Sequence, residues 1–435
     1  MISQALHHAG MDESAAADKA LLFAQAYKVL PGPARDRRSY FVPGRIEFLG
    51  KHADYCGGPT LLCNVERGLC FAATPRHDGI LRVFNLSDGS DISIPLKPDA
   101  LAKSGHWSNY FSTVARRIAR NFPGNLTGAD LAVISDLPQA AGMSSSSACV
   151  VGTFMVLDHL NALRDRSEYR DNINSTEDLA GYLGTVENGQ TFGMLIGDKG
   201  VGTFGGSEDH TSMLCSKPGH VSQFTYGPVA FAGATPLPEG YIIAIGVSGV
   251  LAEKTREAKD KYNAVSLRAR AVLEKWRQST GRTDATLRDV VLSSPDATDR
   301  LRAILTGDES LLSRFNQFHE EITQIVPRAC SALIGNIHDL GPLALRSQEL
   351  AEAALGNQVP ETSFLARSAP KCGAVAGSSF GAGFGGSVWA LVSLDRAETF
   401  LNNWRDQYHQ HFPETAARSS FFLTHAGPAA MGPLL

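Results

Sequence analysis

Four consecutive serines, Ser144, Ser145, Ser146 and Ser147, follow Gly142 where the sequence passes from a strand pattern to a helix pattern. A glycine turn that carries small polar residues onto a helix start leaves backbone N–H groups unpaired and aimed outward. Together with the positive end of the helix dipole, they form a cradle suited to phosphate. A buried helix capped by serine is the plainer reading of the same run, although one serine is enough for a cap. No GxxxxGK[ST] occurs, so a nucleotide here is not held by a P-loop. Phosphoryl transfer without one still needs a magnesium ligand and a group that handles the acceptor's hydroxyl proton. Glu187, with a serine of 144–147, offers hard oxygen ligands for Mg2+. Asp209 could handle the proton. Taken singly, Glu187 also reads as an exposed helix end and Asp209 as a turn carboxylate.

Two further clusters carry chemistry. Between Pro43 and Gly58 lie Arg45, Lys51, His52 and Asp54, next to Gly50, Gly57 and Gly58. A carboxylate accepts two hydrogen bonds and an imidazole can accept or donate, so His52 and Asp54 could grip adjacent sugar hydroxyls. A surface loop with incidental charges would look similar. Gly381, Gly383 and Gly386 satisfy GxGxxG by letter, but Ser387–Val392 after them is β-branched and aromatic. A dinucleotide site needs a helix there, so that reading fails. The glycines instead let backbone approach a ligand or another loop closely, or form a plain glycine-rich hairpin.

These residues need elements to position them. Leu131 and Val133 alternate as a short strand would, while Val150, Val151, Phe154, Leu157 and Leu160 recur at helical spacing. Residues 14–30 read as a helix stopped by Pro31 and Pro33, and Trp107, Phe111, Val114, Ile118 and Phe122 trace another helix face. A helix starting near Ser175 places Glu187 beside the stripe Leu179, Tyr182, Leu183 and Val186. Six glycines between Gly193 and Gly206 make a pliable loop that delivers Ser207-Glu208-Asp209-His210. The prolines of 217–240 suggest a domain boundary. Beyond it, Tyr241–Ile245 reads as a strand and Glu253–Arg277 as a long charged helix. Leu311–Val326 reads as a helix stopped by Pro327, Pro342–Leu355 as another, and Lys371–Val392 as strand. Both halves point to layered α/β or α+β domains.

Composition narrows the function classes. A chain of 435 residues, 43% apolar and 19% charged, fits a soluble two-domain protein. A net charge of −4 offers no basic field for nucleic acid or an anionic membrane. The longest apolar run, Tyr241–Ala252, is too short and too glycine-rich to span a bilayer. The N-terminus lacks a signal-peptide pattern. Cys56, Cys63 and Cys70 recur every seven residues without a zinc-binding pairing, which predicts reduced thiols in a cytoplasmic protein.

The motifs, in order, resemble those of the GHMP kinase superfamily, and within it the galactokinases. Gly44–Gly58 resembles the galactokinase signature, Leu137–Ala148 the phosphate-binding motif and Gly381–Gly386 the third, glycine-rich motif. Trp107–Tyr110 and Tyr262-Asn263 match more weakly. The resemblance implies an α+β fold of two domains. These are a ribosomal-protein-S5-like N-terminal domain over 1–230 and a ferredoxin-like C-terminal domain over 231–435, with the active site between them. It implies ATP-dependent phosphorylation of a sugar's anomeric hydroxyl, with ATP and Mg2+ as cofactors and a small-molecule sugar as partner.

Residue by residue, Asp209 resembles the catalytic aspartate and Arg45 the arginine that stabilises it. Gly142, Ser144, Ser145, Ser146, Ser147, Gly383 and Gly385 resemble phosphate contacts. Ser145, or a neighbour, and Glu187 resemble the magnesium ligands. His52 and Asp54 resemble sugar-hydroxyl contacts, and Tyr262 is either a sugar-proximal tyrosine or a packed helix residue. Two departures stand out. The glycine loop carries roughly ten extra residues, although Gly206 keeps its place three residues before Asp209, which favours Asp209 over Glu208. The second departure is Lys51, where galactokinases have a glutamate that accepts from the sugar's 6-hydroxyl. A lysine there could bind a carboxylate with a charge-assisted bond of about 1.5–3 kcal/mol, so the acceptor is expected to be galactose or a uronic acid such as galacturonate. A non-catalytic sugar and ATP sensor, and a kinase of a non-sugar acceptor, are the remaining alternatives.

Overall fold

The computed structural model describes residues 1–101, 106–250 and 256–434, the first four of the last stretch by backbone alone. Among them, two sheets share one strand's packing. The larger sheet contains β1 (Arg38–Leu49), β2 (Thr60–Arg76), β3 (Ile80–Asn85), β4 (Ser90–Pro95), β5 (Gly128–Ser135), β6 (His220–Thr225), β7 (Ala230–Pro236) and β12 (Met431–Leu434). Its order is β12-β1-β2-β5-β3-β4, with β6 and β7 attached to the start of β2. The smaller sheet is antiparallel, β11 (Ser420–Thr424), β8 (Tyr241–Val247), β10 (Ser387–Ser393) and β9 (Ala376–Phe380), in that order.

Alternation explains why β1 and β2 are buried on both faces. Tyr40, Val42, Leu69 and Phe71 face the helices Ser108–Asn121, Ser145–Asn161 and Thr176–Asn188. Their neighbours Phe41, Cys70 and Ala72 face the helix Glu13–Val29, which Asp12 caps by accepting from Ser14 N. In β5 the expected Leu131 and Val133 take the first face, while Ala132 and Ile134 take the second. All seven cysteines are free thiols, and Cys56, Cys63 and Cys70 lie in three different cores.

The far end of β1 leaves the first core. Ile46 and Phe48 pack with Ile243, Ile245, Trp389 and Leu391 of the smaller sheet. The Trp389 ring stacks on Phe48 with centroids 4.0 Å apart, and its Nε1 donates to Phe48 O. Arg45 and Glu47 alternate with these residues and so point to the opposite side, where the cleft lies.

Three expectations meet the structure differently. Pro327 does not stop the helix. The segment Glu309–Glu320 runs into Val326–Ile334 through a wide π turn, Glu321–Ile325, in which Val326 N bonds Glu321 O. The i→i+5 bond there relieves the clash that a proline ring otherwise makes with the preceding turn. The division at 230/231 falls inside β7, which belongs to the larger sheet, and we propose that it lies between Pro236 and Tyr241. The helix expected from Glu253 begins at Arg256 among the described residues, with 253–255 outside them, and runs to Thr280.

Candidate active site

Four segments converge on a cleft of about 1440 Å³. The helix Ser145–Asn161 starts after Gly142 and Ser144, both in the left-handed region with φ of 73° and 58°. The serine-cap reading does not hold, because Ser144 makes no capping bond and sends its hydroxyl to Asp209 Oδ2 at 2.6 Å. The amides of Ser145, Ser146 and Ser147 therefore stand ahead of the first intrahelical bond, made by Ala148 N to Ser144 O. Ser144, Ser145 and Ser146 line the cleft, while Ser147 is buried behind them.

Asp209 is the hub. Besides Ser144, its carboxylate accepts from Arg45 Nε at 2.7 Å and from Ser147 Oγ at 3.1 Å. Arg45 also donates to Gly142 O at 2.7 Å, so one guanidinium holds both the carboxylate and the turn. Burial alone would lower the Arg45 pKa, but the adjacent Asp209 and Glu208 outweigh it and hold the side chain firmly charged. Ser147 Oγ lies 2.8 Å from Glu187 Oε2, and Glu187 is buried beside its stripe rather than exposed. Of the serines 144–147 expected to pair with Glu187, Ser147 is the one that meets it, while Ser145 lines the cleft. A buried carboxylate beside a hydroxyl, at the foot of helix-start amides, suits a hard cation bridged to phosphate.

The glycine loop that delivers Asp209 is pinned rather than pliable. Arg116 holds Asp198 at 2.6 Å, Arg117 donates to Gln190 O and Leu195 O, and Asn263 accepts from Phe204 N. Glycine is required at its end, because a Cβ on Gly206 would fall 2.2 Å from Asp54 Oδ2. Asp54 also accepts from Glu208 N at 3.2 Å. Burial, against these backbone bonds, raises the Asp54 pKa to about 6. Tyr262 lines the same wall, its ring centroid 6.0 Å from that of His52.

His52 is a fixed wall rather than an open contact. Asn357 Nδ2 faces its Nε2 at 3.1 Å, so Nε2 accepts and Nδ1 donates to Tyr55 Oη at 2.9 Å. Burial, then Arg314 and Lys51, lower the imidazole pKa to about 3 and keep it neutral. Lys51 turns away from the cleft. Its ammonium donates to Ser379 O, in a pocket where Glu47 and Glu321 offset part of the burial cost. Substrate contact by Lys51 is thus corrected. The side chain is 3% exposed and joins the two sheets. Gly383 and Gly385 are corrected as well. A Cβ on Gly383 would strike Asn357 O and one on Gly385 would strike Val250 O, so these glycines seat other loops. Only Gly381 and Ala382 of that hairpin reach the cleft.

Glu47 is the cleft residue that motif reasoning missed. Its Oε1 accepts from His52 N and its Oε2 from Gly381 N. The signal was its position two residues after Arg45 on a strand, which puts both on one face. An apolar wall of Leu69, Trp107, Tyr110, Phe111, Val133 and Leu137 completes the cleft and suits a flat base.

Three family descriptions match the chain. Residues 22–75 match the galactokinase galactose-binding signature, 109–194 the GHMP kinases N terminal domain and 328–410 the GHMP kinases C terminal domain. The galactokinase of Roseiflexus sp. strain RS-1 is 29% identical over 385 residues, covering 86% of this chain and 88% of the relative. The galactokinase of Glaesserella parasuis is 24% identical over 395 residues, covering 90% and 93%. In three dimensions the chain is similar to Lactococcus lactis galactokinase complexed with galactose. The TM-score is 0.79 at 22% identity, over 95% of this chain and 100% of that one.

Proposed function

We propose, from the premise that this chain belongs to the GHMP kinases and is galactokinase-like, that it transfers the terminal phosphoryl group of ATP to the anomeric hydroxyl of galactose. The observation that carries the reading is the contact of Asp209 with Arg45, Ser144 and Ser147 at the mouth of the helix-start amides. Asp209 orients the hydroxyl and takes its proton as the oxygen attacks. Arg45 balances the charge there. The amides of Ser145–Ser147 and the turn at Gly142 hold the phosphates. Glu187 with the Ser147 hydroxyl would hold Mg2+, which would neutralise charge on the phosphates. Purified protein should release ADP from ATP only when galactose is present. Binding of both ligands without ADP release would leave a sensor instead.

Galactose is favoured over galacturonate. Lys51 is spent on Ser379 O, while the carboxyls of Glu47 and Asp54 line the cleft and repel a uronate. Equal turnover of the two sugars would refute this choice.

Asp54 gives a pH signature. Its ionised form accepts sugar hydroxyls at both oxygens, so affinity rises as pH climbs through about 6. The KM for galactose should increase on the order of tenfold from pH 7.5 to pH 5, with KM for ATP changing less. A flat sugar KM across that window would exclude Asp54 as the titrating contact.

Gly206→Ala tests the wall. The new methyl displaces Asp54, and a misplaced contact of this kind should raise the sugar KM roughly tenfold with a smaller change in kcat. An unchanged KM would mean that Asp54 does not touch the sugar.

A further inference from the structure

Glu208 is a second carboxyl in the cleft, and the mechanism above does not use it. It sits one residue before Asp209, on the first turn of the helix Glu208–Cys215. Its side chain is 9% exposed and lines the cleft, and its carboxyl makes no hydrogen bond among the described residues. Arg45 Nε stands 3.9 Å from its Oε1 but is directed at Asp209. A buried carboxyl that accepts no hydrogen bond is costly unless something else completes it. The groups facing it are Glu47 and Arg45 of β1, Lys51 and Asp54 of the following turn, Tyr226 just after β6, and Asp209 of its own helix. Burial, then Glu47 and Asp54, push Glu208 well above the ordinary carboxyl range, so it presents one donor and one acceptor. A sugar hydroxyl offers the complementary pair.

Position selects which hydroxyl. Glu208 and Asp209 flank the same guanidinium nitrogen, at 3.9 and 2.7 Å, and Glu208 N holds Asp54. Its carboxyl therefore neighbours both the group that handles the reacting hydroxyl and the group that grips hydroxyls farther round the ring. We propose that Glu208 is a specificity-determining residue that hydrogen-bonds the sugar hydroxyl next to the one that is phosphorylated. The proposal rests on the sugar 1-kinase reading above.

The test compares galactose with its 2-deoxy and 3-deoxy forms on full-length protein, by ADP release. Wild type should prefer galactose over 2-deoxygalactose in kcat/KM by roughly tenfold, the loss of one well-placed hydrogen bond. Glu208→Met keeps the volume and removes both polar atoms. It should bring that ratio near one while leaving the 3-deoxy ratio as in wild type. Glu208→Gln keeps a donor and an acceptor and should recover most of the discrimination, and it carries the comparison if the methionine variant does not fold. Discrimination that survives in Glu208→Met, or is lost in Glu208→Gln, overturns the proposal. So does a better turnover of galactosamine than of galactose, because Glu208 would then be an ionised counter-charge. Absence of ADP release by wild type on galactose would instead sink the kinase reading itself.

Discussion

Asp209→Asn should lower kcat by between about a hundredfold and ten-thousandfold, the range that a positioned proton acceptor contributes. Among the described residues the native carboxylate faces three donors, Arg45 Nε, Ser144 Oγ and Ser147 Oγ. Asparagine keeps the shape but offers one acceptor oxygen and turns an amide toward at least one of those donors. Asp54 and Tyr262 still line the cleft proposed for the sugar, so its KM should stay within about threefold. The measurement is steady-state ADP production at varied galactose with ATP saturating. A variant with near-normal kcat would remove Asp209 from the chemistry, and an equal loss in affinity would make it a binding group only.

Arg45→Met should affect both catalysis and stability. The guanidinium is 4% exposed and ties Asp209 to the carbonyl of Gly142. Its removal leaves Asp209 without its buried cation, at a cost of about 3–5 kcal/mol in unfolding free energy. The cradle turn also loses its anchor, so kcat should fall at least about a hundredfold. Arg45→Lys separates the two effects. An ammonium restores charge but cannot present the fork that reaches both partners. Stability in urea should recover more than kcat does. If the lysine variant recovers the two in parallel, the anchoring of Gly142 has no catalytic share.

Much of this site can be read from the sequence because its chemistry uses short-range patterns. The glycine and serine turn, the stripe that carries Glu187 and the glycine before Asp209 are all local. What the sequence hides is set by distance along the chain. Lys51 looks like a ligand until Ser379, from the other sheet, captures its ammonium. His52 looks available until Asn357 and Tyr55 take both ring nitrogens. Gly383 and Gly385 look like phosphate contacts until Asn357 and Val250 fill the space beside them. The wide turn that lets a helix pass Pro327 has no compositional mark either, yet it places Glu321 Oε1 against Gly50 N at 2.9 Å.

One pairing governs how the protein is made. β12, residues 431–434, closes the edge of β1 at Ser39 and Phe41. Nearby, Asn64 donates to Pro428 O and Ala430 N bonds Met213 O. During synthesis the first half of the chain emerges with that edge open until residues 431–434 follow it. An uncovered strand edge invites pairing with a neighbouring nascent chain. Deleting residues 431–434 should therefore raise aggregation during expression, because the β1 edge stays uncovered.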